Sequence, residues 1–135
     1  MSETFRLQVT TPERQLVSAD VKRAEIPGKD GYLGILPGHA PLLSELGAGV
    51  LAYSSDSQEN LLLVIGGFLE VLNDEVRVLA ERAEFTKEIN VEDARRELSE
   101  AEEAVLRLTP DASPESVVRR LRAAQARVEA AERAG

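Results

Sequence analysis

The residues best suited to chemistry lie in "GILPGHAPLLSELGAG", Gly34 to Gly49, where the single histidine, His39, stands between Pro37 and Pro41 with Ser44 not far beyond. An imidazole titrates near neutrality and can act as general base toward a hydroxyl. The surroundings do not support that use: no Gly-x-Ser-x-Gly elbow is present and no nearby segment reads as an oxyanion site. Three roles remain open for His39: a turn residue bonded locally, a contact to a partner, and a base. Pro37 and Pro41 fix φ and withhold two backbone donors, so the loop is stiff and cannot join a ladder along its whole length. A rigid apolar loop loses little entropy on binding. Leu42 and Leu43 follow, and adjacent strand positions point to opposite sides. Both can be buried only if something covers each face, one cover being a core and the other a partner.

Other chemistries are thinly represented. The chain has no cysteine and one histidine, which removes thiolate and multi-imidazole metal sites; no cofactor is expected. A net charge of −8 opposes binding to nucleic-acid phosphates. Gly66-Gly67 in "VIGGFLEV" interrupts a strand pattern, which points to a bulge or a close backbone approach. The alternative, a phosphate loop, lacks the Gly-x-x-x-x-Gly-Lys-Ser/Thr or Gly-x-Gly-x-x-Gly surroundings. The start, "MSETFR", shows no secretory signal, and no run approaches the ~18 apolar residues of a membrane span.

The elements that must position these residues fall into two groups. Eight of nine glycines and all five aromatics precede Thr86, and beyond it Ala, Glu, Arg, Leu and Val dominate. We read residues 1–86 as one domain and 87–135 as a second. In the first, Phe5, Leu7 and Val9 alternate with Arg6 and Gln8, as in a half-buried strand. Strands are expected near Phe5–Thr10, Gln15–Ser18, Val21–Ile26, Tyr32–Ile35, Gly49–Tyr53, Asn60–Ile65, Phe68–Leu72 and Glu75–Ala80, with turns such as "PGKDG" and "LNDE" between. That spacing predicts an antiparallel β-sandwich or barrel.

From Asn90 the apolar period becomes helical. Val91, Ala94, Leu98, Ala101, Val105 and Leu108 form one seam behind an Asn90 N-cap; Val117, Leu121, Ala124, Val128 and Ala131 form another behind Ser113 and Pro114. A short "TPDAS" connection makes them an antiparallel hairpin. The first helix carries a net −4 between Glu88 and Leu108, the second +2 between Pro114 and Ala134, so the two are expected to pair by charge. With four alanines among the eleven seam positions, burial is modest against a backbone ordering cost of ~1–2 kcal/mol per residue. The hairpin should depend on a neighbour.

"GYLGILPGHAPLLSELGAG" followed by "LVIGGFLEVLNDEVRVLA" resembles the epsilon subunit of bacterial and chloroplast F-type ATP synthases, in which Gly-x-Leu-Gly-x-x-Pro-x-His-Ala-Pro and Gly-Gly-x-x-Glu-Val recur at similar separation. "VTTPERQLVSADV" and "QARVEAAE" extend the resemblance over nearly the whole chain. It implies a β-sandwich followed by a helical hairpin, and a non-catalytic central-stalk rotor subunit without cofactor. His39, Pro41, Leu42 and Leu43 would contact the gamma subunit, and the turn Gly28, Lys29, Asp30, Gly31 and Tyr32 would approach the c-ring. Arg119, Arg120, Arg122 and Arg127 would meet an acidic loop of the beta subunit in the catalytic alpha/beta hexamer and stop ATP hydrolysis. On charge alone, a solvated face or pairing with helix-one acids explains them as well. The implied location is the cytoplasmic side of a bacterial plasma membrane, reached only through the complex.

One departure concerns nucleotide. Some relatives bind ATP through Ile-Asp-x-x-Arg-Ala; here Ile89, Asn90, Asp93 and Ala94 stand in "INVEDA", and an acid repels a triphosphate where a guanidinium attracts it. Two other classes stay in play: a free-standing sandwich adaptor with an interaction hairpin, and a hydrolase using His39.

Overall fold

The computed structural model describes residues 3–111 and 113–134. Eight strands come first: β1 (Phe5–Thr10), β2 (Gln15–Val21), β3 (Arg23–Gly28), β4 (Gly31–Ile35), β5 (Leu42–Glu45), β6 (Ala48–Ser54), β7 (Glu59–Leu72) and β8 (Glu75–Phe85). A 3-10 turn at Thr86–Glu88 leads into α1 (Val91–Leu106) and α2 (Pro114–Ala134). The readings of the chain start, of Ala112 in "TPDAS" and of the last residue, Gly135, fall outside the described residues.

Asn60–Ile65 and Phe68–Leu72, expected as separate strands, are halves of one strand, β7. Its register against β8 runs without a slip from Leu62↔Phe85 to Leu72↔Glu75, so Gly66-Gly67 is a bend and not an inserted residue. Gly66 and Gly67 have φ of 67° and 110°, and a Cβ on Gly67 would land on the Leu79 carbonyl oxygen. Only glycine meets both demands. The bend sends the first half of β7 to pair with β6 and the second half to pair with β5.

Two layers result. One runs β2-β1 to the start of β8, the end of β7 and then β5; the other runs from the end of β8 through the start of β7 to β6, β3 and β4. Pairing is antiparallel except between β1 and β8, which run parallel. Leu7, Val9, Ile26, Ile35, Leu51, Leu62, Val64, Leu69 and Val71 fill the space between the layers. β5 was not among the expected strands. Its ladder starts at Leu42, directly after Pro41, the last residue without an N–H. β8 also runs five residues past its expected end, to Phe85.

The second layer is apolar on both faces. Leu62 and Val64 point into the main core, while Leu61, Leu63 and Ile65, with Val50 of β6, point outward into a second cluster with Ile89, Ala94, Ala126, Ala130 and Ala131. That outer face is what the helices cover. Helix α2 packs against β6, β7, the 3-10 turn and α1 at once, and its alanines let both neighbours come close. The caps are as expected: Asn90 Oδ1 accepts from the Asp93 N–H at 3.0 Å, and Ser113 Oγ from the Ser116 N–H at 3.4 Å.

The far end of the hairpin departs from the expected seam. α1 stops at Leu106, Leu108 lies outside it, and Val105, Leu106 and Leu108 are exposed, because the sheet supports only the near end. The charge pairing also differs. Among the described residues the helices are joined by Arg95 and Glu132 at 4.0 Å, a base of the acidic helix with an acid of the basic one. Arg127 instead reaches across to Glu84 of β8. Since the main core involves no helix residue, a chain ending at Glu88 should retain a cooperative β fold, with Tm lowered by about 5 °C or more through exposure of Val50 and Leu63. Circular dichroism showing a disordered chain would reject this.

Candidate functional site

His39 sits in the six-residue connection between β4 and β5, in a turn closed by its own N–H donating to the Leu36 carbonyl at 3.2 Å. Its ring Nδ1 is 2.7 Å from the Ala40 carbonyl oxygen. A carbonyl only accepts, so Nδ1 carries a proton and donates it to this contact. The local-turn role is therefore real, and Ser44 does not complete a nucleophilic pair: its hydroxyl donates to the Glu45 carbonyl at 3.3 Å. The loop is pinned at a second point, where the Gly38 N–H donates to Asp74 Oδ1 at 2.7 Å in the β7–β8 turn. Two prolines and two anchors make it a rigid platform.

The platform feeds into β5, where the leucine pair separates. Leu42 packs on the main core and Leu43 points outward, 72% exposed. The outward position is not isolated. On the same face β7 presents Phe68 and Leu72, and β8 presents Leu79 opposite Phe68. Glu45, Glu70, Glu75 and Arg77 lie among them, with Arg77 within 4.0 Å of Glu70 and 3.7 Å of Glu75. Exposed apolar side chains interspersed with charges on a stiff sheet face offer a mixed surface suited to binding another protein. Sequence reasoning found Leu43 and missed Phe68, Leu72 and Leu79. The available signal was "GFLEVL", whose apolar residues occupy both strand parities.

The turn Gly28–Tyr32 joins β3 to β4 and lies at the other end of β5. Lys29 Nζ is 3.2 Å from Glu45 Oε2, and the Lys29 N–H donates to the Glu45 carbonyl at 3.0 Å. Gly47 has no side chain because the Gly28 carbonyl occupies that space. Tyr32 is half exposed, yet its hydroxyl accepts from the Val50 N–H at 3.1 Å. Lys29 and Asp30 are left at an exposed, well-anchored tip. Thus the fold puts the His39–Leu43 segment and the Gly28–Tyr32 turn along one strand.

The arginines are split. Arg119, Arg120 and Arg122 are exposed on α2 and, among the described residues, form no ion pair. Arg127 is 13% exposed and held by both oxygens of Glu84, at 2.8 and 3.2 Å. That hydrogen bond, outweighing desolvation, raises its pKa above the ordinary arginine value. In the "INVEDA" stretch, Asn90 Oδ1 is engaged as the helix cap and Asp93 Oδ1 binds Arg96 at 2.6 Å. Ile89 and Ala94 are buried in the second cluster. No described helix is long and apolar enough to cross a membrane.

Residues 4–86 match the family model of the ATP synthase delta/epsilon chain β-sandwich domain. The chain belongs to this family. It is 41% identical over 133 residues to an ATP synthase epsilon chain of Solibacter usitatus, covering 98% of this chain and 99% of the relative. It is 46% identical over 103 residues to the epsilon chain of Synechococcus elongatus, covering 76% of this chain and 74% of that one. A chain in the Euglena gracilis mitochondrial ATP synthase structure shares the fold, with a TM-score of 0.83 at 23% identity, over 98% of this chain and 83% of that chain. Membership in the epsilon family makes this a non-catalytic subunit of an ATP synthase, with the family's sandwich and two helices. A base at His39 has no part in such a subunit.

The epsilon sandwich thus carries an outward Leu43 beside an inward Leu42, and the two positions should respond differently. Leu43→Arg should change the stability of the isolated chain by no more than about 0.5 kcal/mol, and Leu42→Ala should cost about 2 kcal/mol. Urea denaturation measures both. An equal loss from the two variants would mean that Leu43 serves the core and not a surface.

Proposed function

We propose that this chain is a central-stalk rotor subunit that docks through one face of its sandwich and regulates through its hairpin. The observation that carries the docking is the exposure of Leu43, Phe68, Leu72 and Leu79 on one sheet face beside the rigid His39 loop. The gamma subunit is the occupant, with His39, Pro41 and Leu43 at the contact and Leu42 holding the strand from behind. The Gly28–Tyr32 tip faces the c-ring, where Lys29, Asp30 and Tyr32 offer polar groups on a firm turn. Chains of similar fold occur in an F1/c-ring assembly of Euglena and in a central stalk with c-ring of Tetrahymena, which supports this placement. Residues 1–86 then form the docking domain and 87–135 the regulatory one, held at the cytoplasmic side of a bacterial plasma membrane by the complex alone.

Inhibition of ATP hydrolysis is assigned to α2. Arg119, Arg120 and Arg122 already face solvent and need no rearrangement to meet an acidic loop of the beta subunit. Arg127 can join them only when the hairpin has left the sandwich, since Glu84 holds it otherwise. In the catalytic complex reconstituted with this chain, replacing Arg119, Arg120 and Arg122 with alanine should relieve inhibition, because alanine keeps the helix and removes the charge. Leu43→Arg should weaken capture of gamma by about tenfold or more, as expected for a charge placed in an apolar contact. Inhibition unchanged in the triple variant would leave steric obstruction as the mechanism, and undiminished capture of gamma by Leu43→Arg would remove this face from the interface.

ATP itself finds a poor site. Around Arg127 stand Glu84, Asp93 and Glu97, whose carboxylates all act on it, and a triphosphate would have to displace or approach them. Millimolar ATP should raise the melting temperature by no more than about 1 °C, given the link between binding and stability. A saturable shift in calorimetry would reveal a site built from other residues.

A further inference from the structure

The hairpin is attached to the sandwich in two different ways. The apolar part consists largely of methyl groups: Ala126, Ala130 and Ala131 meet Val50 and Leu63, and each methyl contributes a fraction of what a buried leucine does. The polar part is a row of alternating charges, Glu97, Arg82, Glu84 and Arg127, which runs from α1 across β8 to α2. Arg82 grips Glu97 with two nitrogens, at 3.1 and 3.3 Å, and lies 3.5 Å from Glu84 Oε1. Glu84 in turn takes Arg127 with both oxygens, at 2.8 and 3.2 Å. Paired two-point contacts of this kind are stronger and more directional than single ones.

Burial separates this row from ordinary surface pairs. The Arg127 side chain is 13% exposed and those of Glu84 and Glu97 are 26% and 27% exposed, whereas Arg95–Glu132, which links the helices to each other, is mostly solvated at 4.0 Å. Arg82 and Glu84 are two residues apart on β8 and so point to the same side. One strand therefore holds both helices, α1 through Glu97 and α2 through Arg127. The joint is Glu84, among the described residues the one carboxylate that touches both arginines.

We propose that Glu97, Arg82, Glu84 and Arg127 form an ionic latch that keeps the hairpin docked on the sandwich, and that loss of Glu84 releases both helices together. Removing one member of a partly buried row leaves its partners desolvated and unpaired, which costs more than the row contributes when intact. Every group of the latch belongs to this chain. It stands apart from the inhibitory role proposed above, which only supplies a consequence for its opening.

Amide hydrogen exchange on the full-length chain tests it, comparing wild type with Glu84→Gln, Arg127→Gln and a control, Glu102→Gln, which removes an exposed α1 acid with no ion pair among the described residues. Exchange in α1 and α2 should accelerate by about tenfold or more in both latch variants. Amides of β1 and of the first half of β8 should keep wild-type protection, and the control should match wild type. Three results would overturn the latch. The first is helix exchange at the wild-type rate in Glu84→Gln, which would leave the alanine face as the sole attachment; the second is loss of protection or unfolding of the sandwich along with the hairpin in both variants, which would make the row part of the global fold; the third is an effect of Glu102→Gln equal to that of the latch variants, which would reduce it to net charge.

Discussion

The architecture depends on the bend of β7 at Gly66-Gly67. A straight strand of that length would belong to one sheet. Here the Leu79 carbonyl fills the space a side chain on Gly67 would need, and positive φ at both glycines turns the strand from one layer into the other. Each half then recruits its own neighbour, β6 on one side of the bend and β5 on the other. The position of β5 follows from that bend, and with it the outward direction of Leu43 and the inward direction of Leu42.

The same strand explains why the chain needs its helices. Leu61 to Ile65 are five consecutive apolar residues, so the first half of β7 is apolar on both sides. One side closes the main core, and the other must be covered. α2 covers it with alanines, which permit close approach but bury little area each. Directionality comes from elsewhere, from the charges on β8 that reach each helix. A small apolar face combined with a localised ionic contact makes an attachment that is definite in position and modest in strength.

Stiffness is concentrated at the two ends of β5. The His39 loop is held by two prolines, a closed turn and a bond to Asp74, and the Lys29 turn is held by Glu45 and Leu46. These segments have little freedom left to lose. The chain thus combines rigid loops beside β5 with a hairpin held by a small apolar face and a localised ionic row.

The amino-acid order alone determined the strand-rich first part, the two capped helices, the turn at His39 and the change from strands to helices near Thr86, because alternation, capping residues and proline act over a few neighbours. The family resemblance was legible for a related reason: its motifs are short runs whose glycines and prolines meet local backbone demands. Other features were not legible. That β7 is one bent strand, that β1 runs parallel to β8, that Phe68, Leu72 and Leu79 share a face with Leu43, and that Arg127 prefers Glu84 to the acidic helix all depend on segments distant in sequence. Charge totals predicted attraction between the helices, but a salt bridge needs atoms within reach, and only the packing of α2 on the sheet put Arg127 beside β8.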